Sequence, residues 1–222
     1  MSSPILIIDI CGTLYQSNTT FDFIKYHFGD TWRYRVISHL KKKQFISKLN
    51  YVWFRLTGMD IMRTELIKLL KGTDKSALLS MAIDFYNNFL LSRKNPECFT
   101  ILNNYRKKGA RLIIVSATLD IIAKTVAEQE NINDWMASTL AYKNDICDGK
   151  LNEDLLGGKL CKLNQTLGMV EEKYDVITDN YSDVDIISQA KYAYLIQYND
   201  KRDRWTHYLD KETLLKCEFI RI

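Results

Sequence analysis

Four short apolar runs without polar alternation predict the strands of this chain. They occupy residues 5–8 (ILII), 111–115 (RLIIV), 175–177 (DVI) and 192–196 (YAYLI). Uninterrupted runs of this length, rich in Ile and Val, are typical of strands that are buried on both faces, as in a parallel sheet. The pattern therefore favours a sheet at the centre of the molecule.

Stretches with helical spacing separate these runs. Asn95 followed by Pro96 predicts a helix start, and Gly109 after three basic residues predicts its end. Residues 120–130 and 184–190 predict two further helices, while Asp148-Gly149 and Gly157-Gly158 predict a turn-rich excursion or hairpin at 145–158. Strands that alternate with helices predict an α/β fold with crossover helices.

Residues 20–92 interrupt this alternation with successive helical patterns. Leu78, Met81, Ala82, Phe85 and Phe89, for example, recur at helical spacing. We therefore predict two domains, an α/β core formed by residues 1–19 and 93–222, and a helical domain inserted after the first strand at 20–92.

Charge is distributed unevenly along the 222 residues, although the net charge is only +4. Residues 15–95 carry 14 basic and 6 acidic residues, so the insert is basic and the remainder acidic. The mild overall charge gives no reason to expect a nucleic-acid partner, and the pattern predicts no particular oligomeric state. Five scattered Cys without CxxC spacing favour a reducing, cytoplasmic location over a disulfide framework or zinc site.

Polar residues with chemical potential follow the predicted strands. Asp9-Ile10-Cys11-Gly12-Thr13 follows the first, Ser116-Ala117-Thr118 the second, and Thr178-Asp179-Asn180-Tyr181-Ser182-Asp183 the third, with Lys159 between the last two segments. Ligands of open parallel sheets bind at the carboxyl ends of the strands. Carboxylates there can hold Mg²⁺, while a hydroxyl, an ammonium and backbone N–H groups can hold phosphate oxygens. This set predicts phosphoryl transfer.

The order of these motifs resembles the haloacid-dehalogenase-like superfamily. Its four motifs correspond here to DICGT, VSAT, GGKLCKL and TDNYSDVD, and the segment after the first motif is similar to the phosphoserine-phosphatase-like branch. The resemblance covers the whole chain. It implies a three-layer, Rossmann-like α/β core with a parallel sheet and a helical cap, and hydrolysis of a small phosphorylated metabolite.

The resemblance also implies a role for each motif residue. Asp9 would be the nucleophile that forms an aspartyl-phosphate. Mg²⁺ would be held by the Asp9 carboxylate, the backbone carbonyl of Cys11 and the Asp179 carboxylate. The phosphate-binding residues would be Ser116, Ala117 and Lys159, and Asp183 would orient Lys159 or bind metal-bound water.

Cys11 departs from the family pattern, because phosphatases of the family carry an Asp at this position. That Asp protonates the leaving group and then activates water, which a thiol with a pKa near ~8.5 does poorly at neutral pH. Three interpretations follow: slowed hydrolysis, transfer of a longer-lived phosphoryl group to another acceptor, or a site that binds a phosphorylated ligand without turnover.

The basic insert would favour an anionic substrate. Arg33, Arg35, Arg55 and Arg63 are candidates to contact a second anionic group. Residues 36–56 also mix basic and large apolar residues, as do helices that lie on anionic membranes. Packing of cap helices on their neighbours explains the same pattern, and we prefer that interpretation to a membrane-surface partner.

Overall fold

The computed structural model describes residues 3–42, 44–167, 173–199 and 205–222. Within them, seven strands form one sheet in the order β4-β3-β2-β1-β5-β6-β7, and all neighbours are parallel except β3 and β4. The strands are β1 (Ile5–Ile8), β2 (Arg111–Leu119), β3 (Asp134–Lys143), β4 (Ile146–Glu153), β5 (Asp175–Thr178), β6 (Tyr192–Gln197) and β7 (Cys217–Arg221). The prediction of an α/β fold with a mostly parallel sheet is confirmed.

Helices precede, connect and flank these strands. Between β1 and β2 lie α1 (Thr19–Phe28), α2 (Trp32–Lys42), α3 (Gln44–Thr57), α4 (Ile61–Ile67), α5 (Lys75–Phe85) and α6 (Pro96–Lys107). The remaining helices are α7 (Asp120–Gln129), α8 (Lys159–Leu167), α9 (Val184–Gln189), α10 (Trp205–Tyr208) and α11 (Lys211–Leu215). A π-helical turn at Tyr86–Leu90 follows α5 directly. Helices α6, α7 and α9 lie close to where the sequence predicts them.

Strand β1 shows why the core has three layers. Its side chains point alternately to the two faces of the sheet, and all four are buried. Leu6 and Ile8 join one apolar cluster, whereas Ile5 and Ile7 join a second. Both faces are therefore covered, as the unbroken apolar pattern predicts.

Two strands lie outside the sequence prediction. β3 and β4 form an antiparallel hairpin with a turn at Asn144 and Asp145, both at positive φ, so only β4 lies within the stretch 145–158 for which the sequence predicts an excursion or hairpin. The sequence pattern predicts neither β3 nor the edge strand β7. β7 has the sequence CEFIR, which includes two charged residues. An edge strand can carry such residues because it is not buried on both faces, so it lacks the apolar run that marks the central strands.

The helical segment between β1 and α6 is tied to the sheet by a buried carboxylate. Glu130, which follows α7, accepts hydrogen bonds from the hydroxyls of Tyr15 (2.9 Å) and Tyr86 (2.6 Å) and lies 2.7 Å from the Lys94 ammonium. Tyr86 belongs to the helical segment and Tyr15 to the loop after β1. This cluster therefore joins the two parts, whose division into separate domains stays a prediction.

Candidate active site

The predicted motifs meet at one edge of the sheet. Asp9 follows β1, and its backbone N–H donates to the carbonyl of Ile177 in β5 (3.1 Å), so the residue is held at the strand end. Ser116 lies in the neighbouring strand β2 and is fully buried. Thr178 ends β5 and is followed by Asp179. Parallel pairing of β1 with both neighbours thus brings the three motifs together.

Lys159 is at the centre of the buried charges. It begins α8, its side chain is 2% exposed, and its ammonium lies 3.2 Å from the Asp9 carboxylate and 2.8 Å from that of Asp183. The same Asp183 oxygen accepts a hydrogen bond from the Thr178 hydroxyl (2.7 Å). Lys159 and both carboxylates are therefore held in place by a connected set of contacts.

The pKa values of this cluster follow from burial and mutual charge. Burial raises the pKa of Asp9 and Asp183 raises it further, whereas Lys159 and a hydrogen bond from Ser116 oppose the change. Burial lowers the pKa of Lys159, but the two carboxylates outweigh it, so the net shift is upward. The ammonium is therefore charged at neutral pH.

Asp179 packs directly over the loop that follows Asp9. Its backbone N–H donates to the Thr13 hydroxyl (2.9 Å), and that hydroxyl in turn faces the carboxylate at 3.3 Å. A Cβ on Gly12 would lie 2.1 Å from the Asp179 carboxylate, and Gly12 has a φ of +69°. Only glycine permits both this backbone conformation and this approach.

The donor set at this loop fits a hard divalent cation. Asp9 begins the loop after β1, and the Asp179 carboxylate lies against Gly12 of the same loop, so two carboxylates flank this loop. Oxygen donors are the ligands that Mg²⁺ prefers. Among the described residues, no three His, Cys, Asp or Glu side chains form a metal-binding group by themselves. The predicted Mg²⁺ ligands include only two side chains, those of Asp9 and Asp179, and the third ligand is the backbone carbonyl of Cys11.

Cys11 begins a chain of hydrogen-bonding groups. Its Sγ lies 2.7 Å from the Thr19 hydroxyl, which lies 2.6 Å from the hydroxyl of Thr118. Burial raises the pKa of the Cys11 thiol, and the charge of Asp9 raises it further. The side chain is therefore a neutral thiol at neutral pH.

A cleft of about 610 Å³ lies beside the loop that follows β1. Its lining includes Cys11, Gly12, Asp179 and Tyr198 but not the buried Asp9, Ser116 and Lys159. Tyr198 also donates a hydrogen bond to the Gly12 carbonyl (2.7 Å), which steadies the loop. The cleft is large enough for a small phosphorylated molecule.

A family comparison matches this arrangement. The model of haloacid dehalogenase-like hydrolases matches residues 6–188, which is most of the chain. The chain belongs to this family. Within the haloacid dehalogenase-like hydrolases, protein CicA of Caulobacter vibrioides is 26% identical over 125 residues, which are 56% of this chain and 54% of CicA. The match thus spans about half the length of these curated relatives.

Solved structures share the fold of this haloacid dehalogenase-like chain. A Bordetella pertussis protein of unknown function superposes with a TM-score of 0.70, at 15% identity, over 88% of this chain and 91% of that one. A substrate-bound phosphoserine phosphatase superposes with a TM-score of 0.60, at 16% identity, over 88% and 87%. At such identities the likeness shows the fold alone.

The three candidate arginines whose side chains the structure describes are not gathered at the cleft of this family member. Arg33 is exposed beside the Trp32 ring, and Arg35 is exposed 3.7 Å from Asp30. The side chain of Arg55 lies outside the described residues. The cleft lining includes none of Arg33, Arg35 and Arg63.

Arg63 has a structural set of partners. Its guanidinium is 6% exposed and donates to both carboxylate oxygens of Asp154, to Ser138, and to the backbone carbonyl of Ala117. These bonds fasten α4 to the β3–β4 hairpin and to the Ser116 motif. Arg63 was a candidate to contact the substrate, but in the structure its guanidinium contacts these protein groups instead.

Sequence reasoning assigned no role to several hydroxyls of the site. Thr13 faces Asp179, Thr178 supports Asp183, and Thr19 and Thr118 extend from Cys11. Three of them stand inside the motifs DICGT, VSAT and TDNYSDVD, which was the available signal. Thr19 stands outside the motifs and is recognised only from the contact.

Proposed function

We propose that this family member is a Mg²⁺-dependent phosphohydrolase that acts on a small phosphorylated metabolite through an aspartyl-phosphate at Asp9. The observation that carries the proposal is the buried ammonium of Lys159, held between Asp9, which follows β1, and Asp183, which precedes α9. This places a fixed positive charge beside a carboxylate, and an incoming phosphate dianion needs such a charge to approach a carboxylate.

In the first chemical step each site residue has a separate role. An oxygen of Asp9 attacks phosphorus, an O–P bond to Asp9 forms, and the bond from phosphorus to the ester oxygen breaks. Lys159 and the Ser116 hydroxyl stabilise the charge on the phosphoryl oxygens. The Asp9 and Asp179 carboxylates and the Cys11 carbonyl would hold Mg²⁺, which supplies charge neutralisation at the phosphoryl group.

Proton transfer in both steps depends on position 11. In the first step the departing ester oxygen needs a proton, and in the second step a water must lose a proton to attack the phosphorus of the aspartyl-phosphate. The neutral, hydrogen-bonded Cys11 thiol is a poor donor and a poor base for both transfers. This favours a phosphoenzyme that hydrolyses slowly.

A slow second step also supports a second candidate function, phosphoryl transfer to an acceptor other than water. The neutral thiol that hinders attack by water leaves Asp9 and Lys159 in place for the first step. This candidate predicts a hydroxylamine-sensitive phosphoenzyme that decays faster when an alcohol acceptor is added.

The test is phosphate release from a panel of phosphorylated metabolites, with Mg²⁺ and with EDTA. We expect release only with Mg²⁺, and none from Asp9→Asn. The matched control is Asp185→Asn, because Asp185 shares the fourth motif but is exposed and accepts a bond from the adjacent Ile186 N–H. Activity that survives in Asp9→Asn would contradict the mechanism, and ligand binding without release or phosphoenzyme would show a binding protein.

A further inference from the structure

Helices α2 and α3 expose large apolar side chains to solvent. Eight of them, all at least 39% exposed, define what we call the α2–α3 surface: Trp32, Val36, Leu40, Phe45, Leu49, Val52, Trp53 and Leu56. Scattered single apolar residues are normal on a protein surface, but a set of this size on two neighbouring helices is not. The two helices contact each other and α4.

The spacing of these residues shows organised stripes. On α3 they stand at positions 45, 49, 52, 53 and 56, which fall on one face of a helix, and on α2 they stand at 32, 36 and 40. The opposite face of α2 supplies Tyr34 and Ile37, which pack against the core. The outward stripe is therefore additional to the inward face that holds the helix to the protein.

Three aromatic side chains alone bring the exposed apolar area to the size of the largest patch on a typical monomer. Trp32, Phe45 and Trp53 are 70%, 72% and 47% exposed. At roughly 200 Å² for each aromatic side chain, these three alone expose on the order of 400 Å². The largest apolar patch on a typical monomer is about 300–600 Å² and is often functional. The five aliphatic residues add to this area. An exposed apolar surface of this size indicates a binding surface that a partner covers.

The charge of the same segment identifies the chemistry of that partner. Between Asp30 and Asp60 the chain carries seven Lys and Arg residues and no acidic residue. Arg33, Arg35 and His39 are exposed beside the stripe of α2. A second copy would bring two basic surfaces together, which like-charge repulsion opposes. An anionic surface is complementary instead.

We propose that the α2–α3 surface lies on the surface of a lipid bilayer that contains anionic headgroups. Basic helices with Trp, Phe and Leu on one face bury that face at the boundary between headgroups and acyl chains. Tryptophan is enriched at this depth. Within the described ranges no helix is long and apolar enough to cross a bilayer. The fourteen residues of α3 would extend about 21 Å, so the helix lies along the interface.

The inference goes beyond the proposed function and does not depend on it, because vesicle binding is measured without substrate. The full chain is sedimented with vesicles of phosphatidylcholine alone, or of phosphatidylcholine with about one third phosphatidylglycerol. We expect binding to the mixed vesicles that weakens at high salt, and quenching of tryptophan fluorescence by brominated lipid. Absence of binding to the mixed vesicles would overturn the proposal.

The variants form a matched pair. Leu56 is 78% exposed on α3 and Leu215 is 88% exposed on the core, so Leu→Ser changes the same side chain at similar exposure. Burial of one leucine side chain corresponds to roughly 10-fold or more in affinity. We therefore expect Leu56→Ser to weaken vesicle binding about 10-fold and Leu215→Ser to leave it unchanged.

Three outcomes would contradict the proposal. Equal weakening by the two substitutions would place the contact elsewhere, and equal binding to neutral and anionic vesicles would remove the charge argument. Self-association that Leu56→Ser abolishes, without vesicle binding, would show that a second copy covers the surface. Because both leucines are exposed, neither substitution removes core packing, and circular dichroism checks that each variant is folded.

Discussion

Replacement of Cys11 by Asp tests whether the thiol limits turnover. In the structure the Cys11 sulfur contacts the Thr19 hydroxyl, which can donate to a carboxylate at the same position. Burial and the charge of Asp9 raise the pKa of the native thiol. The same two causes would raise the pKa of an aspartate here, and a raised pKa is what a carboxylic acid needs to donate a proton near neutrality.

The expected magnitude follows from what a positioned acid and base contribute. General acid–base catalysis is worth about 10²–10⁴-fold, or roughly 2.7–5.5 kcal/mol of activation free energy. We expect Cys11→Asp to raise the steady-state rate of phosphate release by at least about 10²-fold. The decay of the phosphoenzyme should accelerate more than its formation when water attack limits turnover.

The assay is phosphate release in Mg²⁺, combined with rapid-quench measurement of phosphoenzyme. Cys161→Asp makes the same substitution at an exposed cysteine of α8 and should leave the rate unchanged. Cys11→Ser should also give no gain, because a serine hydroxyl is neutral and does not replace the carboxylate. The reasoning is refuted if Cys11→Asp is folded, binds the substrate and turns over no faster than the native protein.

Three further predictions concern the loop, the ties between elements and pH. Gly12→Ala should abolish phosphate release and lower stability by about 1–2 kcal/mol, because the new Cβ meets the Asp179 carboxylate at a positive φ; native-like release would contradict this. Arg63→Met should lower the free energy of unfolding in urea by about 3 kcal/mol, the lower end for a buried ion pair, because Asp154 is partly hydrated once unpaired; a loss below about 1 kcal/mol would show that the tie is weak. The pKa of Glu130 is lowered, since its hydrogen bonds and adjacent ammonium outweigh burial. The stabilisation by ionised Glu130 is therefore present at neutral pH. It is lost as the pH falls from the unfolded pKa of about 4.3 through the lower pKa of Glu130 in the folded protein. The native protein and Glu130→Gln should therefore become equally stable at acid pH. If the difference in free energy of unfolding between the two proteins stays constant across that pH range, the ionised Glu130 carboxylate is not the source of the stabilisation.

The site illustrates how far local pattern reaches. The motifs that contain Asp9, Ser116 and Asp179 are recognisable in the sequence because each follows an apolar run, although β2 continues through the Ser116 motif to Leu119. Their meeting at one edge follows from parallel pairing, which the strand pattern already implies. The contact of Lys159 with both Asp9 and Asp183 required the fold, since the three residues are separated by long intervals of sequence.

The arginines show the opposite case. Composition indicates that the helical segment is basic, but it does not distinguish an arginine that meets solvent from one that is buried. The Arg63 guanidinium donates its hydrogen bonds to Asp154, Ser138 and the Ala117 carbonyl, which are all distant from it in sequence. Arg33 and Arg35 remain at the surface.

The sequence by itself determined the α/β class, four of the seven strands of the described sheet and the motif residues after their apolar runs, because strand burial and strand-end chemistry are local patterns. Only the tertiary structure decided which hydroxyls support the carboxylates, where Arg63 is bound, and which face of α2 and α3 is left in water. The apolar pattern of 32–56 is the same whether its side chains pack inward or face solvent. Its exposure depends on the neighbours that the rest of the chain supplies, and these set whether an apolar stripe becomes core or surface.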